Sequence, residues 1–357
     1  MHLTNHSRYQ AKCATGILPE GYCVVIAIKA TYNITDLNDY PHLLLAKTQQ
    51  PLYDTDAYSG EPGLSSPLFE NDLAPYKPLC DVILPNPIAY APGGQWVSEV
   101  PVAVQIGDWR KSFNVVGRRF WRRDLLFSYV SEPERFTQQP LSWEIAYGGI
   151  DNKAYPENDQ IDAYSYNLAG IGYWRKPKRK YIQDTPLAQT EIIGQPINDA
   201  GTRYAPQCFG PIARNWKPRS DYGGTYDDDW IKNTKPFLPA DFDVRYYQST
   251  LEDQQIDYPQ GDEIVCLTNL TPEGELRFVL PKLQVPVRLE PSHGSVVNLQ
   301  PVVDTITIDS EARLLTLVAR ARHPFIHSIH EIDQIQVGHK PVVVTFDALT
   351  REAESDD

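Results

Sequence analysis

Residues 100 to 116, VPVAVQI-GD-WRKSFNVV, restrict the fold more than any other stretch. Two β-patterned runs are joined by two residues, and a connection that short closes an antiparallel pair. Gly107 stands at the first turn position, where a tight hairpin demands positive φ. The device recurs towards the other end. EIVCLTNL and ELRFVLP flank TPEG, and VVDTITI and RLLTLVARAR flank DSEA, each read as a four-residue turn. CVVIAIKATYNI (Cys23 to Ile34) adds an apolar, β-branched strand, with Lys29 and Thr31 beginning to open one face. No comparable stretch sustains the 3.6-residue period of a long helix. The expected fold is mainly β: packed antiparallel sheets, sandwich-like, with a few short helices.

Between about 140 and 260 the pattern changes to Gly, Pro, Asn and aromatics. A long structureless loop inside a compact domain is uncommon, so ordered loops packed by their own aromatics are expected. The chain carries 30 Pro, 21 Tyr and 7 Trp, which suits pleated surfaces and long punctuated connections. Residues 1–352 are read as a single β-rich domain, and 353–357 as a disordered acidic tail.

Net charge of −13 argues against a general nucleic-acid binder, which carries a basic surface. Five cysteines, Cys13, Cys23, Cys80, Cys208 and Cys266, are odd in number and form no C-x-x-C pair, so neither a disulfide framework nor a zinc knuckle is expected. No signal segment opens the sequence and no apolar run reaches the roughly 20 residues of a membrane helix. A cytoplasmic location without membrane insertion is therefore expected.

Residues 224 to 245, GTYDDDWIKNTKPFLPADFDVR, hold the densest carboxylates. Two readings compete, a metal or acid/base cluster and local scaffolding. Thr225 followed by Asp228 resembles a capping box, and Asp227, Asp228 and Asp229 then occupy a first helical turn, where the dipole favours anions. Lys232 and Lys235 fall near the last turn, before Pro236. In LPADFDVRYY, strand alternation puts Asp241, Asp243 and Arg245 on one face, an ion-pair pattern. Every acid has a structural task, so scaffolding is preferred. His323, His327 and His330 suggest ligands, but Pro324 disfavours helical geometry at His323. HEIDQ lacks the second histidine of the zinc-protease motif. No metal or cofactor is expected.

WRKPKRKY (Trp174 to Tyr181) places Arg175, Lys176, Lys178, Arg179 and Lys180 together, either as a solvated loop or as a docking patch for an acidic partner. GRRFWRRD (Gly117 to Asp124) adds to that charge. Trp143, Tyr147, Trp216, Tyr226 and Trp230 either hold the loop-rich region together or line a partner surface, since Trp and Tyr are enriched at hot spots. Phosphate-loop, dinucleotide and nucleophile-elbow motifs are missing. The glycine pairs 93–94, 148–149 and 223–224 are read as backbone positions needing positive φ or close packing.

KATYNI, SSPLFENDLAPYKPLCDV, AYAPGG, GDWRKSFNVVGRRFW, PLSWEIAYGG, NLAGIGY, CFGPIARNWKPR, GTYDDDWIKNTKPFLPADFDVRYYQ and DTITIDSEARLLTLVARAR follow one another in order. This series, over roughly residues 20 to 325, resembles the family catalogued as domain of unknown function 2169. Ala319 stands where that family usually shows Trp. The resemblance implies a non-enzymatic adaptor or chaperone of bacterial type VI secretion. Such a protein binds an effector, often one with a PAAR-type tip domain, and helps load it onto the spike protein. Two other classes remain open: a carbohydrate-active or other hydrolase using carboxylates of 227–243, and a structural component of the spike.

Overall fold

The strand Gly21–Asn33 is central because both of its faces find cover. Val24, Ile26, Ile28 and Ala30 point into the main hydrophobic core, while Cys23 and Val25, one residue out of phase, pack with Phe242 and Tyr247 in a second cluster. Lys29 and Thr31 share that second face, yet they are 4% and 0% exposed. The face that Lys29 and Thr31 mark as opening in the sequence is instead roofed by loops. The computed structural model describes residues 1–35, 43–151, 162–326 and 328–338; the tail 353–357 and His327 lie outside them.

Gly21–Asn33 pairs antiparallel with Gln10–Leu18 on one side and with Leu314–Pro324 on the other. Val302–Asp309, Cys80–Ile83 and Gln255–Ile256 continue the sheet, and Leu44–Leu45 makes its seventh strand. A second sheet runs Thr190–Glu191, Trp109–Val116, Glu99–Ile106, Ile264–Thr268 and Glu275–Val279. A third contains His2–Asn5, Ile332–Val337, Val287–Pro291 and Val297–Leu299. Ile28 of the first sheet, Phe113 of the second and Leu289 of the third belong to one hydrophobic cluster. The chain is mainly β, with only two short α-helices among the described residues.

The hairpin at Gly107 forms as expected, with Ile106 opposite Trp109 and Gly107 at φ 55°. The other two turns are displaced. The connection after Thr268 spans residues 269 to 274, because Asn269 takes φ 54° and leaves the ladder early. The turn after Asp309 is residues 310 to 313, with Arg313 at φ 54°. The pairing is also not purely antiparallel. Cys80–Ile83 runs parallel to Val302–Asp309, and His2–Asn5 parallel to Ile332–Val337. These partners lie far apart in sequence, so no tight turn dictates their direction.

The stretch from 140 to 260 is loop-rich, as expected, and among its described residues the strands that lie within it are two residues long. Its order comes from side chains reaching backbone carbonyls. Trp143 Nε1 donates to Pro211 O at 2.7 Å, Trp216 Nε1 to Gly63 O at 2.7 Å, and Asn167 Nδ2 to Trp143 O at 2.9 Å. Backbone proximity sets the glycines. A Cβ on Gly149, at φ 98°, would stand 2.1 Å from Gly170 O.

Candidate functional site

The most organised polar region lies under the loops, on the outer face of the seven-stranded sheet. Lys77, 1% exposed, donates to Asp81 at 2.7 Å, Glu70 at 3.0 Å and Ser249 Oγ at 3.1 Å. All three protons of its ammonium are thus used. Asp81 also accepts from Ser249 N at 2.8 Å, Gln248 Nε2 at 2.8 Å and Thr250 Oγ1 at 2.6 Å. A carboxylate on strand Cys80–Ile83 therefore fixes a loop some 170 residues away in sequence. Glu70 pairs with Arg219 as well, and Arg214 Nη2 lies 3.8 Å from it while its Nε reaches Asp56 at 2.7 Å.

These neighbours decide the protonation states. Burial alone would raise the Glu70 carboxyl, but Arg219, Lys77 and Arg214 outweigh it and hold the group well below the usual carboxylate range. Burial would lower Lys77, yet Asp81 and Glu70 carry it above its ordinary value. Lys29 differs: burial lowers it despite Asp72 at 2.7 Å. At Asp304 burial also prevails over the paired Arg320, and the carboxyl is pushed up to about 6.

A cavity of about 220 Å³ opens beside this network, lined by Lys29, Tyr53, Phe69, Asp72, Thr305, Thr307, Thr316 and Arg320 among others. The Lys29 ammonium sits 3.9 Å from the Tyr53 ring centroid, and Tyr53 stacks on Phe69 at 4.6 Å. Lys29 already has Asp72, and Arg320 already has Asp304 and the carbonyl of Asp72. The arrangement locks the roof to the sheet through compensated charges.

Asp227, Asp241 and Asp243 act on the backbone, though not where the sequence placed them, while Asp229 accepts from Asn233 Nδ2. The helix is Asp228–Asn233 and its N-cap is Asp227, whose Oδ1 accepts from Trp230 N at 2.9 Å. Thr225 is not the cap. It donates through N and Oγ1 to Asp241 at 2.9 and 2.7 Å, closing the loop 225–241. The expected strand alternation across Asp241, Asp243 and Arg245 is absent. Val244–Tyr247 is a 3₁₀ turn with Asp243 as its N-cap, accepting from Arg245 N at 2.9 Å. Arg245 pairs with Asp243 at 2.6 Å, as the ion-pair reading expects, while Asp241 serves Thr225. Among the described residues no group of three or more His, Cys, Asp or Glu could hold a metal.

The aromatic candidates separate into two groups. Trp143, Tyr147 and Trp216 are 1%, 1% and 0% exposed and serve as packing, with the two indoles edge to face at 5.7 Å. In this arrangement they present no ring to a partner. Tyr226 is 54% exposed and meets Trp230 edge-on at 4.7 Å. Trp230 Nε1 donates to Phe237 O, Phe237 lies 5.4 Å from Tyr22, and Tyr22 stacks on Phe325 at 5.9 Å. Helix and strand end thus share an aromatic row, with exposed Ile231 and Ile326 beside it.

The basic loop is at the surface at Lys176 and Lys180, with Arg175 and Lys178 half-buried; the Arg179 side chain lies outside the described residues. Its ends are anchored. Arg175 N donates to Asp151 at 2.9 Å, and Ile182 belongs to the cluster of Trp121 and Trp174. Sequence reasoning missed the ionic network and the apolar hairpin tip Leu125–Phe127. SSPLFENDLAPYKPLCDV does carry Glu70, Asp72, Lys77 and Asp81 among apolar residues, but only the fold reveals their partners.

Fold and site define a mainly β protein whose loop layer is fastened by buried ion pairs and whose surface exposes an aromatic row. The chain belongs to a bacterial family described as uncharacterized protein conserved in bacteria (DUF2169), whose model matches residues 20–320. No curated protein and no solved structure matches it.

Proposed function

We propose that the chain is a non-enzymatic adaptor, acting in the bacterial cytoplasm. It binds a type VI secretion effector, in particular one carrying a PAAR-type tip domain, and helps load it onto the spike. The observation that supports this most is the row Tyr226–Trp230–Phe237–Tyr22–Phe325, with Ile231 and Ile326 exposed beside it. Asp227, Asp228, Asp229 and Lys232 surround the helical part of the row. An aromatic centre with a charged rim is the composition of a partner-binding surface that must also release. The buried ion pairs under the loops hold the scaffold rigid, which lowers the ordering cost of association.

Co-expression with products of neighbouring genes, followed by affinity purification, tests the reading. A stable complex with one large effector is expected, together with loss of soluble effector when this chain is deleted. Trp230→Ala is expected to weaken the complex roughly 30-fold, the scale of one aromatic hot spot. Ile231→Asp alters an exposed side chain of the same surface and is expected to weaken the complex with an unchanged melting temperature. Indifference of effector levels to deletion, with no neighbouring product bound, would refute the adaptor.

A further inference from the structure

The hairpin Trp121–Arg123 and Ser128–Val130 ends in a turn that exposes three successive apolar side chains. Leu125, Leu126 and Phe127 are 94%, 74% and 68% exposed. The turn is not slack. Asp124 Oδ1 accepts from Leu126 N at 2.7 Å and Phe127 N at 2.6 Å, and Asp124 N donates to Phe127 O at 3.1 Å. An Asx turn of this kind fixes the backbone and leaves the apolar side chains outside.

The base of the hairpin is equally fixed. Trp121 is 4% exposed in a cluster with Trp174, Ile182 and Leu187. Trp121 N donates to Thr185 O, Asp184 N donates to Trp121 O, each at 2.9 Å, and Arg122 pairs with Asp184. These contacts bring the basic loop 174–184 against the basic hairpin 117–130. Sequence groups the two segments by charge alone, and the fold brings them together. Together they hold nine Arg or Lys and two Asp, in a chain whose net charge is −13. Asp184 pairs with Arg122 and buried Arg119 with Glu191, while Arg123 and Lys180 are exposed.

We propose that this end is a docking finger for a protein partner presenting an apolar pocket rimmed by carboxylates. Leu125, Leu126 and Phe127 enter the pocket, and the exposed Arg123 and Lys180 meet the rim. The inference rests on the adaptor reading and identifies the partner as the effector, held through a second surface besides the aromatic row. Opposite charge around an apolar plug gives orientation and encounter rate, while the plug sets residence time. A protein pocket fits better than an anionic bilayer. A chain of net charge −13 is repelled by an extended anionic surface, whereas a local acidic rim interacts with the finger alone.

The test uses the full chain and the effector recovered by co-expression. Leu126→Ser/Phe127→Ser keeps the backbone bonds of the turn and is expected to weaken binding at least 30-fold with an unchanged melting temperature. Arg123→Glu/Lys180→Glu is expected to weaken it more at 50 mM than at 500 mM salt. Amide exchange across 122–130 should slow in the complex. Wild-type affinity in the serine variant overturns the finger. So does finger-dependent sedimentation with phosphatidylserine vesicles, or a finger-dependent dimer of this chain. If the serine variant binds normally while Trp230→Ala does not, the finger alone fails. If the wild-type chain binds no effector, the adaptor reading fails and takes the finger with it.

Discussion

Replacing Glu70 by Gln removes one charge from the buried network while keeping the side chain's size. Arg219 keeps its carbonyl acceptors Tyr246 O at 2.8 Å and Ile212 O at 3.0 Å, and Lys77 keeps Asp81. What is lost is the anion facing two almost fully buried cations, and breaking a buried pair from one side costs about 3–5 kcal/mol. In a chain of 357 residues, an unfolding entropy of about 2.1 cal/mol/K per residue gives about 0.75 kcal/mol per kelvin. The melting temperature at pH 7 should therefore fall by about 4–7 °C. The dependence on pH has a definite sign. Glu70 titrates below its ordinary 4.5 in the folded chain, so its contribution is full above about that pH and is lost as pH falls through the folded value. The gap between wild type and Glu70→Gln should persist from pH 7 to 5 and narrow below 4.5. Scanning calorimetry of both proteins from pH 3 to 7 measures it. A loss below about 1 kcal/mol at pH 7, typical of surface pairs, would refute the reasoning, as would a gap that does not narrow in acid.

Asp304 behaves in the opposite sense. Its carboxyl is raised from 3.8 to about 6, so its contribution is full below about 3.8 and is lost as pH rises through 6. Asp304→Asn should flatten that part of the stability profile, and a carbon NMR titration of the wild-type carboxyl should give a midpoint near 6. Gly149→Ala must place a Cβ 2.1 Å from Gly170 O at φ 98°. Backbone cannot yield as a side chain can, so a loss of about 3 kcal/mol or more is expected by chemical denaturation. Asp227→Ala removes the N-cap of Asp228–Asn233, and limited trypsinolysis should then cut faster at Lys232 with little change in global melting.

Local grammar settled the elements whose causes are local. The hairpin at Gly107 follows from a two-residue connection, and Asp243 meets Arg245 because they stand two residues apart. The loop-rich middle was equally visible in its composition. Where cause was non-local, sequence placed residues wrongly or not at all. Lys29 read as the edge of an open face because nothing nearby in sequence announces Asp72 or the loops above it. Thr225 matched a capping pattern, but Asp241 took it and left the cap to Asp227. Lys77, Asp81 and Ser249 form one polar unit across roughly 170 residues, and the two basic segments share one hydrophobic base. Burial is what made these contacts strong: a charge removed from water must find its partner wherever the folded chain brings one. Sequence thus determined the mainly β character and the tight hairpin at Gly107, while tertiary structure decided strand partners, which charges are structural and which apolar side chains remain outside.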